Sequence, residues 1–115
     1  MPTKAQMLSA RPLRNPLIAW EASETGALLR APIDNRGIWG RLRRIFRLRD
    51  ERLIELDAIG AFVWERLDGQ TTVDGLIVRL CKQYRLDRKE AEASLFAFLK
   101  MLSDRNYAAL FVKKR

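Results

Sequence analysis

Histidine is absent from the 115 residues, and cysteine occurs once, as Cys81. Without an imidazole there is no Ser-His-Asp or Cys-His arrangement, which closes the commonest routes of nucleophilic catalysis. The same shortage excludes the usual zinc sites, which draw most of their ligands from these two side chains. A lone cysteine rules out an internal disulfide and fits a reducing compartment. No run approaches the ~18–20 apolar residues of a membrane span. Met1–Pro16 is broken by Arg11, Pro12, Arg14 and Pro16 and holds no secretory apolar core. These absences lead us to expect a cytoplasmic protein that binds a partner without transforming it and carries no metal or cofactor.

Apolar residues and positive charge are plentiful by contrast. Hydrophobic residues make up 48%, enough for the modest core of one domain. Lys and Arg number 22 against 14 Asp and Glu, a net charge of +8. Such an excess raises nucleic acid or an anionic membrane as partners. More than half of it is local, because the seven arginines between Arg36 and Arg52 meet only Asp50 and Glu51, a net +5. Among them Ile38, Trp39, Leu42, Ile45 and Phe46 recur at helical spacing, although Gly37 and Gly40 weaken a helix. From Phe46 onward an alternation with Arg47, Leu48 and Arg49 fits a strand. Helix then strand, or loop, both stay open for 33–51. The stripe has three readings. It covers the domain's own core, or it docks against a partner enzyme or a second copy, or it rests on a membrane surface. In the last two, Ile38, Trp39, Leu42, Arg43 and Phe46 make the contact.

The rest of the chain divides into recognisable elements. Met1–Pro16 reads as a flexible arm. Leu17–Ala22 and Ala27–Pro32, separated by Ser23-Glu24-Thr25-Gly26, read as a β-hairpin. Arg52–Leu56 reads as a third strand, with Ile54 and Leu56 on one face and Leu53 and Glu55 on the other. Asp57 is suited to cap a helix over 58–67, ended near Gly69. Thr71 or Thr72 caps a second helix over 73–84, which carries Cys81 on its apolar face as a buried thiol. Asp87 caps a third helix that runs to about Arg105, with Glu90 at capping-box spacing and Ala91, Leu95, Phe98, Leu99 and Leu102 facing the core. Tyr107–Val112 is apolar enough to pack back or form a short strand. The order predicts an α+β fold of winged helix-turn-helix type, a small three-stranded antiparallel sheet followed by three helices. One domain over 17–112 would then carry the basic, amphipathic 33–51 as an insertion.

The run Ile54-Glu55-Leu56-Asp57-Ala58-Ile59-Gly60-Ala61-Phe62-Val63-Trp64, followed by Leu67-Asp68-Gly69, Thr72-Val73 and Leu76-Ile77, resembles the PqqD family. So do Tyr84-x-Leu86 with Glu90-Ala91-Glu92, and upstream Arg11-Pro12-x-x-Asn15-Pro16 with Trp20-Glu21. The resemblance covers roughly residues 11 to 110. It implies a non-catalytic module that recognises the leader region of a ribosomally made precursor peptide and presents it to a modifying enzyme, such as a radical SAM protein. It further implies that the peptide adds as a strand to the third β-strand and lies against the third helix. Carried onto this chain, that places Arg52, Leu53, Ile54 and Glu55 beside the peptide backbone, with Phe96, Leu99, Lys100 and Ser103 lining the helical side. An edge strand with unpaired backbone groups suits such augmentation. It also leaves room for a homodimer by strand exchange. The long basic connection at 33–51 departs from the family's shorter one and points to a peptide other than the pyrroloquinoline quinone precursor. The alternative is a winged-helix nucleic-acid binder using 36–52. Against it, the four cations of the third helix are matched by four carboxylates between Asp87 and Arg105, a poor start where phosphate contact dominates affinity.

Overall fold

Residues 3–32 and 51–111 are described by the computed structural model. In chain order they form α1 (Lys4–Ser9), β1 (Arg11–Arg14), β2 (Ala19–Ser23), β3 (Gly26–Pro32), β4 (Glu51–Leu56), α2 (Ala58–Glu65), α3 (Val73–Tyr84), α4 (Arg88–Asp104) and β5 (Ala108–Phe111). The architecture is α+β, with strands β2-β3-β4 in one antiparallel sheet and β1-β5 in a second. The chain divides into two compact units: Pro16–Ala61, and Met1–Asn15 together with Phe62–Arg115. Helix α2 begins in the former and ends in the latter.

In the described part of Pro16–Ala61, β2 and β3 close a tight hairpin in which Ser23 pairs with Gly26. Gly26 is required there, since a Cβ on it would lie 1.8 Å from the Leu56 carbonyl oxygen. β3 is the central strand and buries Ala27, Leu29 and Ala31, while Leu28 and Arg30 between them are more exposed. β4 joins β3 with Leu29 opposite Ile54 and Ala27 opposite Leu56, so apolar residues share one face. Period-two alternation thus sets the register, because a slip of one residue would turn Leu56 to solvent. Asp57 ends the strand and starts α2, its Oδ1 accepting from the Gly60 N–H at 2.8 Å.

The other unit departs from the sequence expectation at its N-terminus. Where an arm is predicted, the described residues form a helix and a strand. Thr3 and Gln6 make a reciprocal capping box, with Gln6 N–H donating to Thr3 Oγ1 at 3.2 Å and Thr3 N–H to Gln6 Oε1 at 2.8 Å. β1 pairs with β5, Pro12 opposite Leu110. Pro12 turns its backbone away from β5 toward Gly69, where β1 meets only an isolated bridge at Leu13–Asp68, so a proline that cannot donate is tolerated. The same segment takes further long-range bonds: Arg14 N–H to Leu67 O, Gly69 N–H to Pro12 O and Val73 N–H to Ala10 O, each 2.9 Å.

Three helices complete this unit. Thr72 caps α3 by accepting from the Gly75 N–H at 3.0 Å, and Asp87 caps α4 by accepting from the Glu90 N–H at 2.8 Å. α3 ends on Arg85 in the left-handed region (φ 53°). α3 packs on α4, and each buries an apolar stripe, Val73, Leu76, Ile77 and Leu80 on the first and Ala91, Leu95, Leu99 and Leu102 on the second. Trp64 and Leu67 are fully buried, Tyr107 nearly so, and Phe62 meets Tyr84 edge-on with ring centres 5.5 Å apart. Cys81, expected to be buried, is half-buried and carries a free thiol. Among the described residues no helix is long and apolar enough to cross a membrane.

Candidate functional site

β4 is the edge of the three-stranded sheet among the described strands, since it pairs with β3 alone. Alternate backbone N–H and C=O groups on its outer side therefore pair with no described strand, the arrangement that can accept a further one. Its side chains divide by parity. Arg52 and Ile54 share the face of Leu56, and Leu53 and Glu55 share the other. Leu53 is 43% exposed and Arg52 and Glu55 are exposed, whereas Ile54 is half-buried. One strand thus offers a cation with an apolar residue on one face, and an apolar residue with a carboxylate on the other.

The open face extends across the sheet by cross-strand pairing: Glu55 opposite Leu28, Leu53 opposite Arg30, and Leu28 opposite Glu21. Arg30 and Glu21 form an exposed ion pair at 3.5 Å. At the end of the sheet, where the β2–β3 turn meets the exit of β4, a depression of about 550 Å3 is lined by Ser23, Thr25, Leu28, Glu55 and Asp57 among others. Sequence reasoning finds Glu55 and misses the others. Their local signals are those of a turn and a helix cap, and only the register brings Leu28 beside Glu55.

Phe96, Leu99, Lys100 and Ser103 lie on α4, at spacings that put them on one helix face. Leu99 is 1% exposed and belongs to the core, Phe96 is half-buried, and Lys100 and Ser103 are exposed. Lys100 Nζ donates to Asp104 Oδ2 at 2.8 Å, and this hydrogen-bonded carboxylate raises the Lys100 pKa. The β4 set belongs to the unit Pro16–Ala61 and the α4 set to the other unit. Ile38, Trp39, Leu42, Arg43 and Phe46, with the rest of the basic connection, lie outside the described residues.

Two of the three cations of α4 are taken up by carboxylates within the fold. Arg88 is engaged by Asp74 and Glu92, with Asp74 the larger influence raising its pKa, and Lys100 is engaged by Asp104. Lys4 adds a contact to Glu92 at 2.7 Å. These cations are neutralised within the fold, which weakens the counterion release that drives nucleic-acid binding. Among the described residues no group of three or more His, Cys, Asp or Glu is placed to hold a metal ion.

The family model described as coenzyme PQQ synthesis protein D matches residues 44–107, from the basic connection through β4 and all three later helices. No curated protein matches the chain in sequence. Among solved structures, TbiB1 in complex with the TbiA(beta) leader peptide is similar to it, with a TM-score of 0.61 and 18% identity. That match covers 84% of this chain and 93% of the other. At this identity the likeness concerns the fold.

Proposed function

The chain belongs to the PqqD family, and on that premise we propose that it binds the leader region of a ribosomally made precursor peptide and presents it to a modifying enzyme, such as a radical SAM protein. The peptide adds as a strand to β4. The observation that carries this reading is the place of β4 at the edge of the described sheet, where backbone groups supply affinity and Leu53 and the charged Arg52 and Glu55 supply selection. The similar fold of TbiB1, itself in complex with a leader peptide, supports it. Phe96, Lys100 and Ser103 are assigned a peptide-contacting role on their own unit, with Leu99 holding that helix face from the core side. The role is one of binding, with the chemistry left to the partner enzyme.

The test is a titration of the isotopically labelled protein with synthetic leaders of candidate ribosomal precursor peptides. Amide resonances of Arg52–Glu55 are expected to shift in a saturable way, and those of 96–103 to report the second contact independently. A leader N-methylated at alternate residues, on the side that bonds to β4, is expected to lose binding. Retained affinity of the N-methylated leader, or saturable binding that leaves 52–55 unmoved, would sink strand addition.

A further inference from the structure

Glu55 is an exposed carboxylate that pairs with no cation among the described residues. The neighbouring Arg30 pairs with Glu21 at 3.5 Å, and no ion pair joins Glu55 to any described residue. Asp57, two residues on, gives its Oδ1 to the helix cap at 2.8 Å and remains exposed. Both line the depression of about 550 Å3 together with the hydroxyl-bearing Ser23 and Thr25 and the apolar Leu28. Carboxylates and hydroxyls all accept hydrogen bonds, and two negative charges repel an anion. An apolar wall beside acceptors suits a side chain with a hydrocarbon stem and a cationic head, which describes lysine and arginine. The adjoining Leu53 is apolar and 43% exposed on the same face.

Resting on the strand-addition reading above, we propose that β4 selects a peptide strand bearing a lysine or arginine opposite Glu55 and an apolar residue two positions away, opposite Leu53. Residues two apart on a strand project to one face, so both contacts are made together. The stem crosses the edge of β4 beside Leu53, and the basic head reaches Glu55 and Asp57 at the near wall of the depression, whose far wall is Leu28. Directly opposed charges across a strand pair favour the match and penalise an acidic residue at that position. The overall charge of +8 would suggest an acidic peptide. This end of β4 requires the reverse, so the selection is local.

A phage-displayed library of random peptides is selected in parallel on the full-length protein and on its Glu55→Lys variant. Glu55 is exposed and its side chain makes no hydrogen bond or ion pair with a described residue, so the variant folds; a circular dichroism melt checks this. The unaltered protein is expected to enrich Lys or Arg two positions from an apolar residue, and the variant to enrich Asp or Glu there. A synthetic peptide from the first selection is expected to bind Glu55→Lys roughly three- to tenfold more weakly, and to recover when its basic residue is changed to Glu. Peptides that shift the β4 amides but show no basic preference overturn the proposal and leave strand addition standing. Absence of enrichment on either protein, or peptides that leave those amides unmoved, overturns both.

Discussion

Trp64 is fully buried, and its indole N–H finds no acceptor among the described residues. A buried donor left unpaired costs about 1–3 kcal/mol, so the residue stabilises through volume and contact. Trp64→Ala is expected to cost about 3–5 kcal/mol, and Trp64→Phe less than half of that, as read from urea unfolding midpoints. Equal losses would mean that the N–H is bonded. Gly26 is constrained in the opposite sense, by lack of space. Gly26→Ala must displace the backbone at Leu56, and more than about 2 kcal/mol of destabilisation is expected. Asp68 carries a pH signature. Its Oδ1 accepts from the Gln70 and Thr71 N–H groups, each at 2.9 Å, and these bonds hold its carboxyl below the usual carboxylate range. A depressed folded-state pKa contributes stability above the unfolded-state value and loses it as pH falls through the folded one. The side chain is exposed, so the effect is small. Asp68→Asn is expected to be slightly less stable than the unaltered protein at neutral pH, the gap closing below about pH 4.

Elements differ in how far their own residues specify them. Asp57, Thr72 and Asp87 each cap a helix by accepting from the N–H three residues on, at 2.8, 3.0 and 2.8 Å. A cap joins neighbours in sequence, which is why spacing alone names Asp57 and Asp87 and narrows the third cap to Thr71 or Thr72, the structure choosing Thr72. Asp87→Ala is expected to cost about 1 kcal/mol. Glu90 stands at capping-box spacing from it, and the bond found there is the one from its backbone N–H. The alternation of β4 is equally local, but its place at the sheet edge is not. An exposed edge invites association unless charge discourages it, and Arg52 and Glu55 supply charge on opposite faces. Replacing both by valine is expected to shift the protein toward dimers and larger species in light scattering. A strictly unchanged mass would show that the edge is guarded by something else.

The N-terminal segment matters to its unit more than its sequence suggests. β1 completes a sheet with β5, and Ala10, Pro12 and Arg14 bond to the connection between α2 and α3 and to the first residue of α3. Arg14 also donates through Nη1 to the carbonyls of Trp64 and Glu65, at 3.0 and 2.8 Å, a cation placed on the free end of α2. Deleting residues 1–15 is therefore expected to lower the melting temperature by several degrees or more. It should also strip hydrogen-exchange protection from the Gly69 and Val73 amides, whose acceptors are removed. Full retention of protection would restore the view of this segment as an arm. The partners of Arg11–Arg14 lie near the far end of the chain. No local pattern names them, because closing so long a loop is decided by what surface the rest of the fold leaves open.

What the sequence determined by itself is the chemistry that is missing, the hairpin, the three helices with their caps, the faces of β4 and the resemblance to a peptide-recognition family. All of these depend on interactions within a few residues or on a connected pattern of side chains. Only the tertiary structure decided that β4 stands at the edge of the described sheet and that Leu28 lies opposite Glu55. It alone drew the β2–β3 turn and Asp57 around one depression and paired the first strand with the last. The physical reason is that backbone pairing carries no local record of its partner. A strand's residues state which face is apolar, and the register that joins it to another strand is settled by which apolar faces can be buried together.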